Sequence, residues 1–222
     1  MRVHVFSRSN WYEPHRIRQQ LAMLISTNYL VEYHSPENKK NELDFDLPIN
    51  INLNEFLFIK KFASLPIISL INAIILFFYT KFVVRQGDVV FNFSPELIFI
   101  PKIPDVKIYS FINDDFTSMS PKISAWWMKY MMEKMALNAR ATLYVSTKLI
   151  SKYKCSKTIL FYPWTDVRNF VMPKVTKKNI ILYWGYISLA FDFSVLEQMA
   201  IQIHQCSLNM KILLVGPVES SV

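Results

Sequence analysis

Glycine is nearly missing from this chain: three residues in 222. Loops that hold phosphate on bare backbone, of the Gly-x-Gly-x-x-Gly or Gly-x-x-x-x-Gly-Lys kind, are therefore excluded. Cysteine is scarce too. Cys155 and Cys206 are far apart and follow no ligand spacing, so neither a disulfide framework nor a cysteine metal site is expected. His4, His15, His34 and His204 show no metal spacing and are expected as ordinary surface or loop residues. There is no long basic tract. The Lys-Lys pairs at 39–40, 60–61 and 177–178 are scattered, so the net charge of +8 points to acidic headgroups or a phosphorylated substrate, with no nucleic-acid motif beside it. The N-terminus MRVHVFSRSN is too polar for a secretory signal, which makes a reducing, cytoplasmic setting the expectation.

What the chain does have is apolar mass: 52% hydrophobic residues against 19% charged, enough for a large core. Val3 to Ser7 predicts a first buried strand. Pro14 suits a first helical turn, and Ile17, Leu21, Leu24 and Ile25 recur at helical spacing after it. Leu30 to His34 is the next strand, so the chain opens strand, helix, strand, as a parallel α/β sheet does. Residues 38–55 read as a polar loop with one short extended piece, Ile49–Leu53, and strands follow at Val89–Phe93, Val106–Ile112, Thr142–Ser146 and Thr158–Tyr162. Ile123 to Arg140 predicts a helix whose Trp127, Met131 and Met135 share a core stripe. From Phe62 to Tyr79, 14 of 18 residues are hydrophobic. A helix buried on the sheet, a helix lying on a membrane surface between Lys60, Lys61, Lys81 and Arg85, and a spanning helix all remain open for this block.

The polar stretch from Asp166 to Lys178 marks a domain boundary, giving 1–172 as a Rossmann-like domain with helices on both faces and 173–222 as the start of a second. Residues 179–217 predict one further strand–helix–strand unit, too small to close its own core. Five residues later the sequence ends, so the second domain is expected to be incomplete.

Ligands of open parallel sheets bind beyond the carboxyl ends of the strands. The loops there carry Arg8–Glu13, Ser35–Glu37, Ser94–Glu96, Asn113–Asp115, Ser146-Thr147, Pro163–Asp166 and Gly185–Ser188. Asp114 and Asp115 are the sharpest pair. Adjacent carboxylates on extended chain point opposite ways, so one can face a site as general base while the other caps the next turn. Both as turn or cap residues is the competing expectation.

Seven segments then carry a resemblance. His15 to Ala22 (HRIRQQLA) is similar to an Arg-Pro-x-Gln-Leu-Ala helix, and Val31 to Pro36 to the strand after it. Ile108 to Phe116 (IYSFINDDF) resembles a Tyr-Asp-x-x-Asp-Asp segment. Glu133 to Leu149 resembles Glu-x-x-x-x-x-x-Ala-Asp-x-Val-x-x-Ser-x-x-Leu, with Thr142 near the Asp. Phe161 to Phe170 resembles Pro-Asn-Gly-Val-Asp-x-x-x-Phe, with Trp164-Thr165 for Asn-Gly and one residue lost. Tyr183 to Ile187 resembles Tyr-x-Gly-x-Ile, and Leu213 to Pro217 a Val-Gly strand end. In this order they resemble the front part of GT-B glycosyltransferases of the family 4 type, which build bacterial surface polysaccharides.

The resemblance implies transfer of a sugar, with retention, from a nucleoside diphosphate sugar to a glycan or lipid-linked acceptor, without a metal or other cofactor. It implies Asp114 or Asp115 on the acceptor side, Trp11 and Arg16 near the acceptor loop, and Gly185 as a close approach to the donor phosphates. It also implies contact with an anionic inner membrane surface. The paired glutamates that grip the donor sugar in that family have no counterpart before residue 222. An inactive remnant, or a module that binds only acceptor or membrane, is the alternative.

Overall fold

A computed structural model describes residues 1–13, 16–36, 47–99, 103–153, 155, 157–162, 178–185, 187, 192–216 and 218. The chain forms two compact units, Met1–Thr165 and Asp166–Val222. The expected boundary at 172/173, His15, and most of the Phe161–Phe170 segment lie outside the described residues.

In the first unit seven strands make one parallel sheet: β1 (Val3–Phe6), β2 (Val31–Ser35), β3 (Ile51–Glu55), β4 (Val89–Asn92), β5 (Lys107–Ile112), β6 (Ala141–Tyr144) and β7 (Thr158–Leu160). Their spatial order is β3-β2-β1-β4-β5-β6-β7. This is an α/β, Rossmann-like sheet. The direction of travel reverses between β1 and β4, and a crevice opens at such a reversal.

Side chains alternate between the two faces of the sheet. Val3 and Val5 join Val31, Tyr33, Leu21 and Ala22 in one core, under helix α1 (Ile17–Ser26). Phe6 and Val90 face the other way, against Leu76 of α2 (Pro66–Val83). Beside them Ile112 and Tyr144 pack on Met128, Met131, Met132 and Met135 of α4 (Lys122–Leu137). Each such methionine is worth about 2 kcal/mol of burial. Trp127 is partly buried against the same cluster, so the expected stripe is core. Two short helices complete the unit, α3 (Phe116–Met119) and α5 (Thr147–Lys152). The first has no counterpart in the sequence reading.

Helix α2 is built inside out. Its buried residues are Ser69, Asn72, Ala73, Leu76 and Thr80, while Ile67, Leu70, Ile71, Ile74, Phe78 and Phe82 are exposed. Both sets follow the i, i+3, i+4, i+7 spacing of a single helical stripe. The inward polar groups are satisfied locally. Asn72 accepts from the Ile59 N–H (2.8 Å) and donates to its carbonyl (3.1 Å). Thr80 donates to the Leu76 carbonyl at 2.6 Å, and the Ser69 hydroxyl meets the Met131 sulfur at 3.0 Å. Of the three open readings, the helix packs on the sheet through Leu76 and Ala73, with 28% of it buried and its other apolar stripe exposed.

The second unit pairs β8 (Ile180–Trp184) with β9 (Lys211–Val215) in parallel, with α6 (Phe193–Gln205) as the crossover. Asp192 starts α6 by accepting from the Ser194 and Val195 N–H groups at 3.1 and 3.4 Å. Among its described residues only Ile187 is buried. Trp184, at 83% exposed, and Leu182 lie open.

Candidate functional site

The rim of the first sheet is assembled from loops that leave the carboxyl ends of β1, β4 and β5. Arg8 follows β1 and Glu96 follows β4, the two strands at the reversal. The Arg8 Nε–H donates to Glu96 Oε2 at 2.8 Å, and the two side chains form a close ion pair. Ser94 Oγ donates to the same carboxylate oxygen at 2.9 Å. Glu96 has no exposed surface, so the pair ties the switch loops together in place of apolar packing. Burial brings the Arg8 pKa down to about 10, which still leaves the guanidinium charged at neutral pH. Its plane lies 5.7 Å from the Phe58 ring and 6.0 Å from the Phe116 ring, so it reaches the loop after β5 as well.

The two aspartates after β5 part company. Asp115 caps α3, accepting from the Ser118 N–H at 3.3 Å. It also receives Lys152 Nζ at 2.7 and 2.8 Å and the Tyr153 hydroxyl at 2.8 Å. Desolvation pushes its pKa up, but the hydrogen bonds from Lys152, Ser118 and Tyr153 win and hold it well below the usual carboxylate range. A carboxylate so saturated is a poor proton acceptor, and its role is structural. Asp114 is exposed and takes a hydrogen bond from its neighbour, the Asn113 amide, at 2.5 Å.

Trp11 has no exposed surface and meets Tyr33 edge to face at 5.1 Å, so it packs beneath the β1–α1 loop. Tyr33 in turn donates to the Ser9 carbonyl at 3.1 Å. Arg16 is exposed at the N-cap of α1, where its N–H is received by Gln19 Oε1 at 3.1 Å. Two residues on, Arg18 is 9% exposed and stands 3.9 Å from Glu13. Burial lowers its pKa, opposed by the charges of Glu13 and Asp114. The charge of Asp114 is felt at Arg18.

Gly185 ends β8, its N–H donating to the Val215 carbonyl at 3.0 Å. A Cβ there would stand 2.8 Å from the Tyr183 hydroxyl. Gly216, at φ +151°, lies so close that a Cβ on it would run into the Gly185 carbonyl. The two glycines are a paired close approach of backbone within the second unit.

The sequence reading placed Arg8 at the rim but missed Glu96, Arg18 and Lys152 as individual residues. Arg8 and Glu96 were visible as opposite charges following two strands, but their pairing depends on β1 and β4 being neighbours. Among the described residues no group of three His, Cys, Asp or Glu is arranged to hold a metal ion. A scan against protein-family models finds no match to this chain, and no curated protein matches its sequence.

Proposed function

We propose that the chain is a glycosyltransferase of the GT-B type, moving a sugar from a nucleoside diphosphate sugar to a glycan or lipid-linked acceptor. The observation that carries this reading is the end of β5: the segment resembling the family's acceptor-side motif leaves the sheet beside the β1–β4 reversal, with Asp114 free to meet an acceptor. Asp114 orients or deprotonates the acceptor hydroxyl, a contribution of about 10²-fold or more. Arg16 lines the same loop, and Gly185 gives backbone access to the donor diphosphate. The chemistry rests on orientation and leaving-group stabilisation, with no cofactor besides the donor.

The test is transfer of labelled sugar from a panel of nucleoside diphosphate sugars into a bacterial lipid and glycan extract. Product with the parent chain and at least a hundredfold loss in Asp114→Asn support the proposal. Full activity in Asp114→Asn removes Asp114 from the chemistry, and no transfer from any donor removes the activity. The outward apolar stripe of α2 favours a second reading, a module that binds acceptor or membrane without transfer. Binding of the glycan extract without turnover distinguishes it.

A further inference from the structure

We propose that the layer formed by α2 and α4 is a docking surface for an anionic lipid bilayer. The proposal stands on this surface alone and holds whether or not the chain transfers sugar. The two helices cover the same face of the sheet side by side, joined where Ser69 meets Met131 and where Ala73 enters the methionine cluster. Ile67, Ile74, Phe78 and Phe82 stand out from α2, and Ile123 and Trp126 from α4; Phe82 is 81% exposed and Ile123 73%.

Exposed apolar side chains alone do not say what covers them. The charge does. Residues 56–85 and 116–140 hold eight Lys and Arg and a single acid, Glu133, so seven of the chain's net +8 charges belong to these two segments. Lys60, Lys61, Lys81, Arg85, Lys122 and Lys129 are all exposed. A second copy of the chain would set this positive face against itself, and an apolar protein groove would leave the cations unmatched. A bilayer of acidic lipids takes both: acyl chains receive the aliphatic and aromatic stripe to a depth of ~5–10 Å, and headgroups meet the lysines. Spanning is disfavoured, because α2 is the crossover between β3 and β4 and is bonded to its own domain at Asn72. Satisfying Asn72 and Thr80 inward is what frees the large side chains to face outward.

The experiment is co-sedimentation of the whole chain with vesicles of phosphatidylcholine alone or with 30% phosphatidylglycerol added. Binding is expected to the acidic vesicles, to weaken with salt, and to fall roughly fivefold for each lysine neutralised, so about a hundredfold in Lys60→Gln/Lys61→Gln/Lys81→Gln. Brominated acyl chains quench tryptophan fluorescence, and Trp126→Phe is expected to lose that quenching. Ile74→Ser/Phe78→Ser/Phe82→Ser abolishes binding while circular dichroism is unchanged. Equal binding to neutral vesicles, or unchanged affinity in the lysine variant, overturns the proposal. So does a stable dimer in analytical ultracentrifugation without vesicle binding, or resistance of membrane-bound protein to carbonate extraction.

Discussion

Acidification from pH 7 to pH 5 is expected to weaken the first unit by about 2 kcal/mol, and the reason is a buried row of hydrogen bonds. Asp88 Oδ2 meets His4 Nε2 at 3.1 Å, His4 Nδ1 meets His34 Nε2 at 3.0 Å, and His34 Nδ1 meets the Tyr79 hydroxyl at 3.0 Å. Burial keeps both imidazoles neutral, and with neutral rings one assignment of protons satisfies all three: Tyr79 donates to His34, His34 to His4, and His4 to Asp88, with each ring proton on Nε2. His4 has no exposed surface and His34 only 1%, which corrects their expected place in surface loops. Burial lowers both pKa values, that of His34 to about 3 with further repulsion from His4. Burial likewise pushes Tyr79 up to about 12, keeping its proton in place.

The sign follows from which state binds the proton. Unfolded histidine titrates near 6.5, so below that pH the unfolded chain gains protons the folded chain refuses, and stability falls. With a folded value of about 3, the His34 contribution between pH 7 and pH 5 is about 2 kcal/mol. His4 acts in the same direction. Asp88 acts in a lower window, since its depressed pKa costs stability only as the pH drops below its unfolded value of 3.8. Urea unfolding at pH 7 and pH 5 measures the difference, and His34→Gln removes the titrating ring. The reasoning fails if the parent protein loses under about 0.5 kcal/mol over this range, or if His34→Gln keeps the same pH dependence.

Asp115→Ala is expected to cost about 1 kcal/mol, from the lost cap of α3, because the Lys152 pair is a third exposed and adds little. Thermal unfolding reads it, and no change would make the cap irrelevant. Gly216→Ala is expected to destabilise the second unit by at least about 1 kcal/mol, since its positive φ penalises a side chain and the Gly185 carbonyl occupies the space. Faster amide exchange at Tyr183 and Leu214 in that variant checks it; unchanged exchange would mean the pair is not close.

Most elements of the sheet were legible because buried parallel strands are short apolar runs between turn residues, as at Val89–Asn92 and Ala141–Tyr144. Their order was not, because strand pairing is a long-range choice that no local pattern encodes. That is why Arg8 and Glu96 appeared as two unrelated rim charges. The facing of α2 was hidden for a different reason. Its composition is apolar on nearly every side, and the stripe with Ser69 and Asn72 turns inward where partners at Met131 and Ile59 wait, while Thr80 is satisfied within the helix by the Leu76 carbonyl. Trp11 looked like a loop aromatic, and its burial depends on Tyr33 lying beneath it in the neighbouring strand. Of the adjacent aspartates, the sequence allowed a division of labour, but Lys152 and Tyr153, far along the chain, decide which one is tied down.

The central position of β1 has a consequence for synthesis. Val3–Phe6 is made before either strand it pairs with, and one of its two edges is paired only when Val89–Asn92 has been made. At the usual pace of translation that edge waits on the order of ten seconds. The outward stripe of α2 emerges in the same interval, so the nascent chain is at its most adhesive just before the sheet can close.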